Sequence, residues 1–337
     1  MTSQAPKRNH VVCAIDAQMT YALTILLSSL ASTASAPFRV SVGYLDNKLP
    51  RQDRNFLAQL CEELSIPLDF IALESHPLFI KQGHISPTTF AKFLLADMIP
   101  TAHLWLDADT VALAGWDAIF DTIAETTSNE GLVVARRSDN RENPNQTEAK
   151  GLRFNAGVLG WPATQRRDWQ TPLASMAVVE TQEQALFNEL YGDDARSVSE
   201  AFNTLTYRLE QIPAHEPPFI IHFAGAHKPW QLVRNLAGVC LAYGCPWSAW
   251  FQEEAQLEKR LEVTALDATR KTFSRAALHT GAFSWDRDRS GLRLLKLLRL
   301  IGPLAPVLVA LLRLAAHQAP QGTHPLHPLS TTRGGGA

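Results

Sequence analysis

The stretch His103-Leu104-Trp105-Leu106-Asp107-Ala108-Asp109-Thr110-Val111-Ala112-Leu113 joins a short apolar run to two carboxylates one residue apart. The run suits a buried strand, and alternation along a strand points Asp107 and Asp109 to the same side. Two like charges that close repel unless a cation neutralises them. A metal–diphosphate complex is a natural guest, because hard oxygen ligands suit Mg or Mn. The competing reading is a capped turn between a strand and a helix. A three-residue pattern is weak by itself, and Asp286-Arg287-Asp288 repeats it in a polar stretch with no strand before it. The rest of the chain has to separate the two.

The chain has 337 residues, 46% of them hydrophobic and 19% charged, a globular composition able to bury a sizeable core. A formal net charge of −2 offers no general argument for nucleic-acid binding. Cys13, Cys61, Cys240 and Cys245 form no CxxC pair, which predicts reduced thiols in a cytoplasmic protein, with a Cys240/Cys245 redox or metal pair as the alternative. Residues 1–10 lack the apolar core and cleavage site of a signal peptide, and nothing before residue 290 resembles a membrane span.

Working outward, β-type runs stand at 11–15, 38–45, 68–73, 103–106 and 132–135, with helical patterns at 21–34, 51–64 and 88–98. This β-α-β-α order predicts an α/β fold with a mostly parallel sheet flanked by helices. Ligands of such sheets bind beyond the carboxyl ends of the strands, which places Asp16 on the same edge as Asp107 and Asp109. Residues 138–150 are polar and turn-rich, a lid or a plain surface loop. A strand opened by Asn155 and broken by Gly157 and Gly160 follows, then a helix at 181–191, a strand at 219–223 and a charged helix at 250–263.

The C-terminal segment differs in kind. Arg289, Arg293, Lys296 and Arg299 share one side of a helix, and Leu292, Leu295, Leu298 and Ile301 occupy the others. The apolar run that follows is interrupted by Pro303 and Pro306 and is too short to span a bilayer. A peripheral helix on the inner face of a membrane fits this pattern, as does a helix packed on the domain or on a partner. The division expected is a catalytic domain over 10–280, this segment over 285–316 and a disordered tail over 317–337.

Five segments stand in order: Ala14-Ile15-Asp16, Lys92 in Thr89-Phe90-Ala91-Lys92-Phe93, Leu106-Asp107-Ala108-Asp109, Phe154-Asn155-Ala156-Gly157-Val158, and His222-Phe223-Ala224-Gly225-x-x-Lys228-Pro229-Trp230. Together, over residues 10 to 232, they resemble glycosyltransferase family 8, the group of glycogenin and the bacterial lipooligosaccharide galactosyltransferases. The resemblance implies a GT-A fold, a UDP-sugar donor, Mn2+ (or Mg2+) and transfer with retention at the anomeric carbon.

The same resemblance implies a site. Asp107, Asp109 and His222 would ligate the metal, and mixed oxygen and nitrogen donors suit Mn better than Ca. Asp16, Lys92, Asp107, Ala108, Asn155, Ala156, Gly225 and Lys228 would bind the donor. Gly225 would let backbone approach the phosphates, Lys228 would add positive charge there, and Asn155 would serve sugar hydroxyls. Taken singly, His222 reads as a satisfied buried histidine, Lys228 as a surface lysine, Asn155 as a turn residue and Trp230 as a core aromatic. Glu183 and Gln184 match a region the family usually writes Asp-Gln-Asp. There Glu183 would hold a sugar hydroxyl and Gln184 would stabilise charge at the anomeric carbon, the alternative being an exposed polar helix turn.

Three departures matter. Asp16 is followed by Ala17-Gln18-Met19 where an acidic-Asn-Tyr run is common, leaving Met19 or Tyr21 to carry uracil. Lys92 stands where arginine is frequent, a point charge in place of a fork. Arg136-Arg137-Ser138, with Asp139 nearby, replaces a carboxylate that touches the donor sugar in relatives. The expected activity is metal-dependent, retaining transfer of a hexose (Gal or Glc) from UDP to a glycan or glycolipid acceptor. The alternative is a nucleotide-sugar-binding or scaffold protein without turnover. A nucleotidyltransferase would need a glycine-rich phosphate loop near the first strand, which the sequence lacks.

Overall fold

The structure is a computed structural model that describes residues 9–81, 86–126, 130–135, 154–163, 166–176, 182–206, 216–225, 228–230 and 248–263. The expectations for 138–150, 285–316 and 317–337, for the Cys240/Cys245 pair, for Arg136 to Asp139 and for Asp286/Asp288 lie outside those residues.

Seven strands form the main sheet: β1 (Asn9–Ala14), β2 (Phe38–Leu45), β3 (Leu68–Leu73), β4 (His103–Leu106), β6 (Val133–Ala135), β7 (Val158–Trp161) and β8 (Arg196–Val198), in the order β3-β2-β1-β4-β7-β6-β8. Only β7 opposes the rest, pairing antiparallel with both β4 and β6. The expectation of a mostly parallel sheet therefore holds.

Alternation divides the side chains of each strand between two cores. Val11 and Cys13 on β1 and Leu104 and Leu106 on β4 pack with helices α1 (Thr20–Thr33), α2 (Arg51–Glu63) and α4 (Ile119–Glu125). Val12 and Trp105 face the other way, toward α3 (Ala91–Met98), α5 (Gln170–Ser175) and α6 (Gln182–Tyr191). The last described helix, α7 (Ser248–Val263), covers α1, where the Ser28 hydroxyl donates to the buried Glu253 carboxylate at 2.6 Å. Cys13 and Cys61 are free and buried, and burial pushes the Cys61 thiol up to about 12.

The sequence pattern missed a second, smaller sheet. It is built from β5 (Thr110–Ala112), β9 (Thr204–Leu205) and β10 (Ile220–His222), in the order β5-β10-β9. The chain leaving Asp109 enters β5, so the strand-to-helix turn weighed above does not form. β10 runs antiparallel to β5 in a register that sets His222 opposite Thr110, and the Phe223 N–H donates to the Asp109 carbonyl at 2.9 Å. That pairing delivers His222 to the acidic pair.

Toward the far edge of the main sheet, β1, β2 and β3 carry a polar chain in which His10 and Ser41 are buried. The Ser41 hydroxyl donates to Asp69, which leaves its oxygen to accept from His10 Nε2 at 2.8 Å, while Arg39 donates to His10 Nδ1 at 3.0 Å. These roles require a neutral imidazole. Burial, with help from Arg39, lowers His10 to about 4. Burial lowers the neighbouring His103 to about 3.

Candidate functional site

The carboxyl ends of β1 and β4 open on a cleft of about 490 Å³. Two registers assemble it. Antiparallel pairing of β4 with β7 puts Leu106 opposite Val158, and the Asp107 N–H donates to the Gly157 carbonyl at 2.8 Å. The turn Asn155-Ala156-Gly157 is thereby held beside the acidic pair, while the small sheet brings His222 from the opposite side.

Each carboxylate uses one oxygen internally and turns the other toward His222. Asp107 Oδ1 accepts from the Trp105 indole N–H at 2.8 Å and pairs with Lys92 at 3.2 Å; its Oδ2 lies 3.9 Å from His222 Nε2. Asp109 Oδ2 pairs with Lys228, and its Oδ1 lies 3.4 Å from the same nitrogen. One ligand atom from each of Asp107, Asp109 and His222 can be chosen so that all three lie within 4.8 Å of one another. Two carboxylate oxygens and an imidazole nitrogen at that spacing fit a divalent cation of the Mn or Mg class. Burial disfavours charge on Asp109, but Lys228 and His222 outweigh it and hold the carboxyl far below the usual range.

Lys92 lies beneath this pair with 1% of its surface exposed. Its ammonium donates to the Ala156 carbonyl at 2.8 Å and to Glu183 Oε1, and pairs with Asp107, so its three protons face three oxygens. Burial opposes its charge, yet Asp107 and Glu183 more than offset that and raise it above the usual lysine range. Burial lifts Glu183 to about 7, Asp107 adding to the effect and Lys92 opposing it. The alternative of an exposed polar helix turn does not hold at Glu183, since Gln182 and Glu183 are both buried.

The other expected residues meet at the same cleft. Asp16 caps the turn Ala17–Met19, its Oδ1 accepting from Gln18 N–H at 2.9 Å and its Oδ2 from the Ser86 hydroxyl at 3.0 Å. Ala108, Gln184 and Gly225 line the wall. Gly225 has φ +95°, a conformation that favours glycine, and a Cβ there would meet nothing within 4 Å. Lys228 also donates to the Phe223 carbonyl at 2.7 Å. Asn155 precedes β7 rather than opening it. Of the two residues considered for the base, Met19 lines the cleft, whereas Tyr21 is buried beside Trp250. Trp230 packs on Trp250 as well, so it is a core aromatic.

Residues 10–233 match the family model described as Glycosyl transferase family 8. The chain belongs to this family. A curated relative, Glycosyltransferase GlyD of Streptococcus pneumoniae serotype 4 (strain ATCC BAA-334 / TIGR4), is 26% identical over 174 residues, covering 44% of this chain and 20% of that protein. The chain thus spans about one fifth of the length of that relative. Among solved structures, the galactosyltransferase LgtC in complex with donor and acceptor sugar analogues superposes with a TM-score of 0.60 at 18% identity, covering 78% of this chain and 99% of that one. The glycosyltransferase GlyE of Streptococcus pneumoniae TIGR4 superposes with 0.51 at 19% identity, covering 80% and 64%. The fold is accordingly of the GT-A type.

Two residues of the site escaped sequence reasoning. Trp105 read only as core, yet its indole orients Asp107; an indole two positions before an acid on one strand is a usable signal. Asn203 carries no local signal at all. It ends the short 3-10 turn Glu200–Asn203, and only the pairing of β9 with β10 places it beside His222.

Proposed function

We propose that this family 8 chain is a metal-dependent glycosyltransferase that moves a hexose, galactose or glucose, from a UDP-sugar to a glycan or glycolipid acceptor. The observation that carries this reading is the convergence of Asp107 Oδ2, Asp109 Oδ1 and His222 Nε2, with Lys228 on the same cleft. A bound Mn2+ would act there as a Lewis acid offsetting the charge of the departing diphosphate. Lys228 adds a positive charge beside it, held by Asp109 and the Phe223 carbonyl, and Gly225 keeps the wall open at the same end. Asp16 and Met19 lie toward the base end of the cleft, and Asn155 and Gln184 toward the sugar.

Retention by same-face attack is favoured over a covalent intermediate. The Glu183 carboxylate lines the cleft but is engaged there by Lys92, and is a poor candidate for a nucleophile. The leaving diphosphate oxygen then takes the acceptor proton. The basic spacing of Arg289, Arg293, Lys296 and Arg299 supports an acceptor presented at a membrane surface. Among the described residues no helix is long and apolar enough to cross a membrane.

Incubating the protein with Mn2+ and UDP-Gal, UDP-Glc or their N-acetyl forms, and measuring UDP release, tests the proposal. Release from at least one hexose donor, lost on chelation, is the expected result. Donor binding without release would indicate a nucleotide-sugar-binding protein instead.

A further inference from the structure

We propose that Asn203 is a positioning residue that decides which nitrogen of His222 faces the cation and, through Asn155, which way round the Gln184 amide is held. The inference rests on the metal-dependent reading above. Its argument is a chain of donors and acceptors anchored on a group whose polarity is fixed.

The anchor is the Gly157 main-chain N–H, which can only donate, 2.9 Å from Asn155 Oδ1. That contact identifies the oxygen of the Asn155 amide, so its Nδ2 is the atom facing Gln184 Oε1 at 2.9 Å. Asn155 Oδ1 and the Asn155 carbonyl, two acceptors, both lie 3.1 Å from one amide atom of Asn203. Only an NH2 group satisfies both; reversing the amide would set an oxygen against two oxygens. Asn203 Oδ1 therefore faces His222 Nδ1, at 3.0 Å.

An oxygen at that place requires Nδ1 to carry the proton. With a cation between the carboxylates, a neutral ring then offers it the lone pair of Nε2, the atom 3.4 Å from Asp109 Oδ1 and 3.9 Å from Asp107 Oδ2. A hydrogen bond on the far nitrogen is the usual means of fixing a metal-binding imidazole. Asn203 and His222 are 4% and 3% exposed, so water does not substitute for either partner. The same amide thus serves both ends of the cleft, its oxygen the cation ligand and its nitrogen the Asn155–Gln184 pair.

The two halves of that amide are separable by substitution. Asn203→Ala removes both, and Asn203→Asp keeps the acceptor for His222 while placing an oxygen against Asn155. Binding of Mn2+ alone, followed by electron paramagnetic resonance of the free ion, should weaken about tenfold or more in Asn203→Ala. In Asn203→Asp it should stay within about threefold of wild type or tighten, while kcat with a UDP-hexose falls about tenfold or more at little change in KM. Melting temperatures report whether each variant folds, and Asn203→Asp decides if Asn203→Ala does not. Wild-type Mn2+ affinity in folded Asn203→Ala would overturn the inference, as would an Asn203→Asp variant that loses the cation. Absence of Mn2+ binding by the wild type would instead sink the metal-dependent reading, and this inference with it.

Discussion

Gly157 and His222 are packed so closely that a Cβ on the glycine would lie 2.1 Å from His222 Cε1 and 2.5 Å from Nδ1. The conflict is with a buried ring that Asn203 and the second sheet hold in place, so there is little room to yield. Glycine here serves the approach of a side chain and not an unusual backbone angle.

Gly157→Ala is therefore expected to push the imidazole off its position and weaken Mn2+ binding by about tenfold or more, a scale typical of misplaced ligand support. Overpacking of this kind costs about 1–3 kcal/mol of stability, which urea unfolding measures in parallel. Unchanged affinity in the folded variant would show that His222 takes no part in holding the cation.

Asp109→Asn keeps the shape of the side chain but removes the charge facing His222 and Lys228. Transfer should fall at least about 100-fold, since a metal's stabilisation of a departing diphosphate is worth several kcal/mol. The circular dichroism spectrum should be unchanged. Turnover at the wild-type rate would rule out Asp109 as a ligand.

Lys92 is the sole cation that the described contacts place between Asp107 and Glu183. Lys92→Met leaves the buried Glu183 and the half-buried Asp107 without their shared cation and should cost about 3–5 kcal/mol. Adding Glu183→Gln should return more than about 1 kcal/mol of that loss, because residues in one network do not act additively. Denaturant unfolding of the two single variants and the double variant measures the coupling, and simple additivity would contradict it.

The His10 and His103 pair sets a pH limit on the fold. Both are neutral in the folded protein, with pKa values lowered to about 4 and about 3, whereas unfolded histidines titrate near 6.5. Below about pH 6.5 the unfolded chain binds more protons, so stability falls with pH by up to about 1.4 kcal/mol per unit for each histidine. Glu183, raised to about 7, acts in the opposite sense over part of that range. Comparison with His10→Gln isolates the histidine: between pH 6.5 and 5 its unfolding free energy should lose about 1 kcal/mol per unit less than wild type. Equal slopes would mean that His10 is not buried neutral.

The first half of the main sheet was legible because its strands and helices are long enough to carry a period, from 38–45 beside 51–64 onward, whereas its three-residue edge strand β8 was not. β5 and β9, of three and two residues, are too short to show one, so the strand expected at 219–223 was legible but the small sheet that pairs it with β5 and brings His222 to Asp109 was not. The chemistry-bearing residues were recognisable as types in a fixed order, and one cleft gathers them. Their partners were not, because the bonds that orient them are long-range. Asn203 reaches Asn155 across 48 positions and Lys92 reaches Glu183 across 91. Tyr21 shows the reverse failure, an aromatic beside the first strand that faces the core because α1 is covered by α7.

The small sheet also has a consequence for the order of events during folding. Asp109 and Lys228 are 119 positions apart, and their meeting awaits the antiparallel docking of β10 on β5. Closing so long a loop carries an entropy penalty that local β1–β2 pairing does not face. The proposed cation pocket is thus expected to be among the last parts of the molecule to form. Mn2+ added to a refolding chain should hold the finished protein together without hastening its early collapse, and uptake of the ion would serve as a clock for completion.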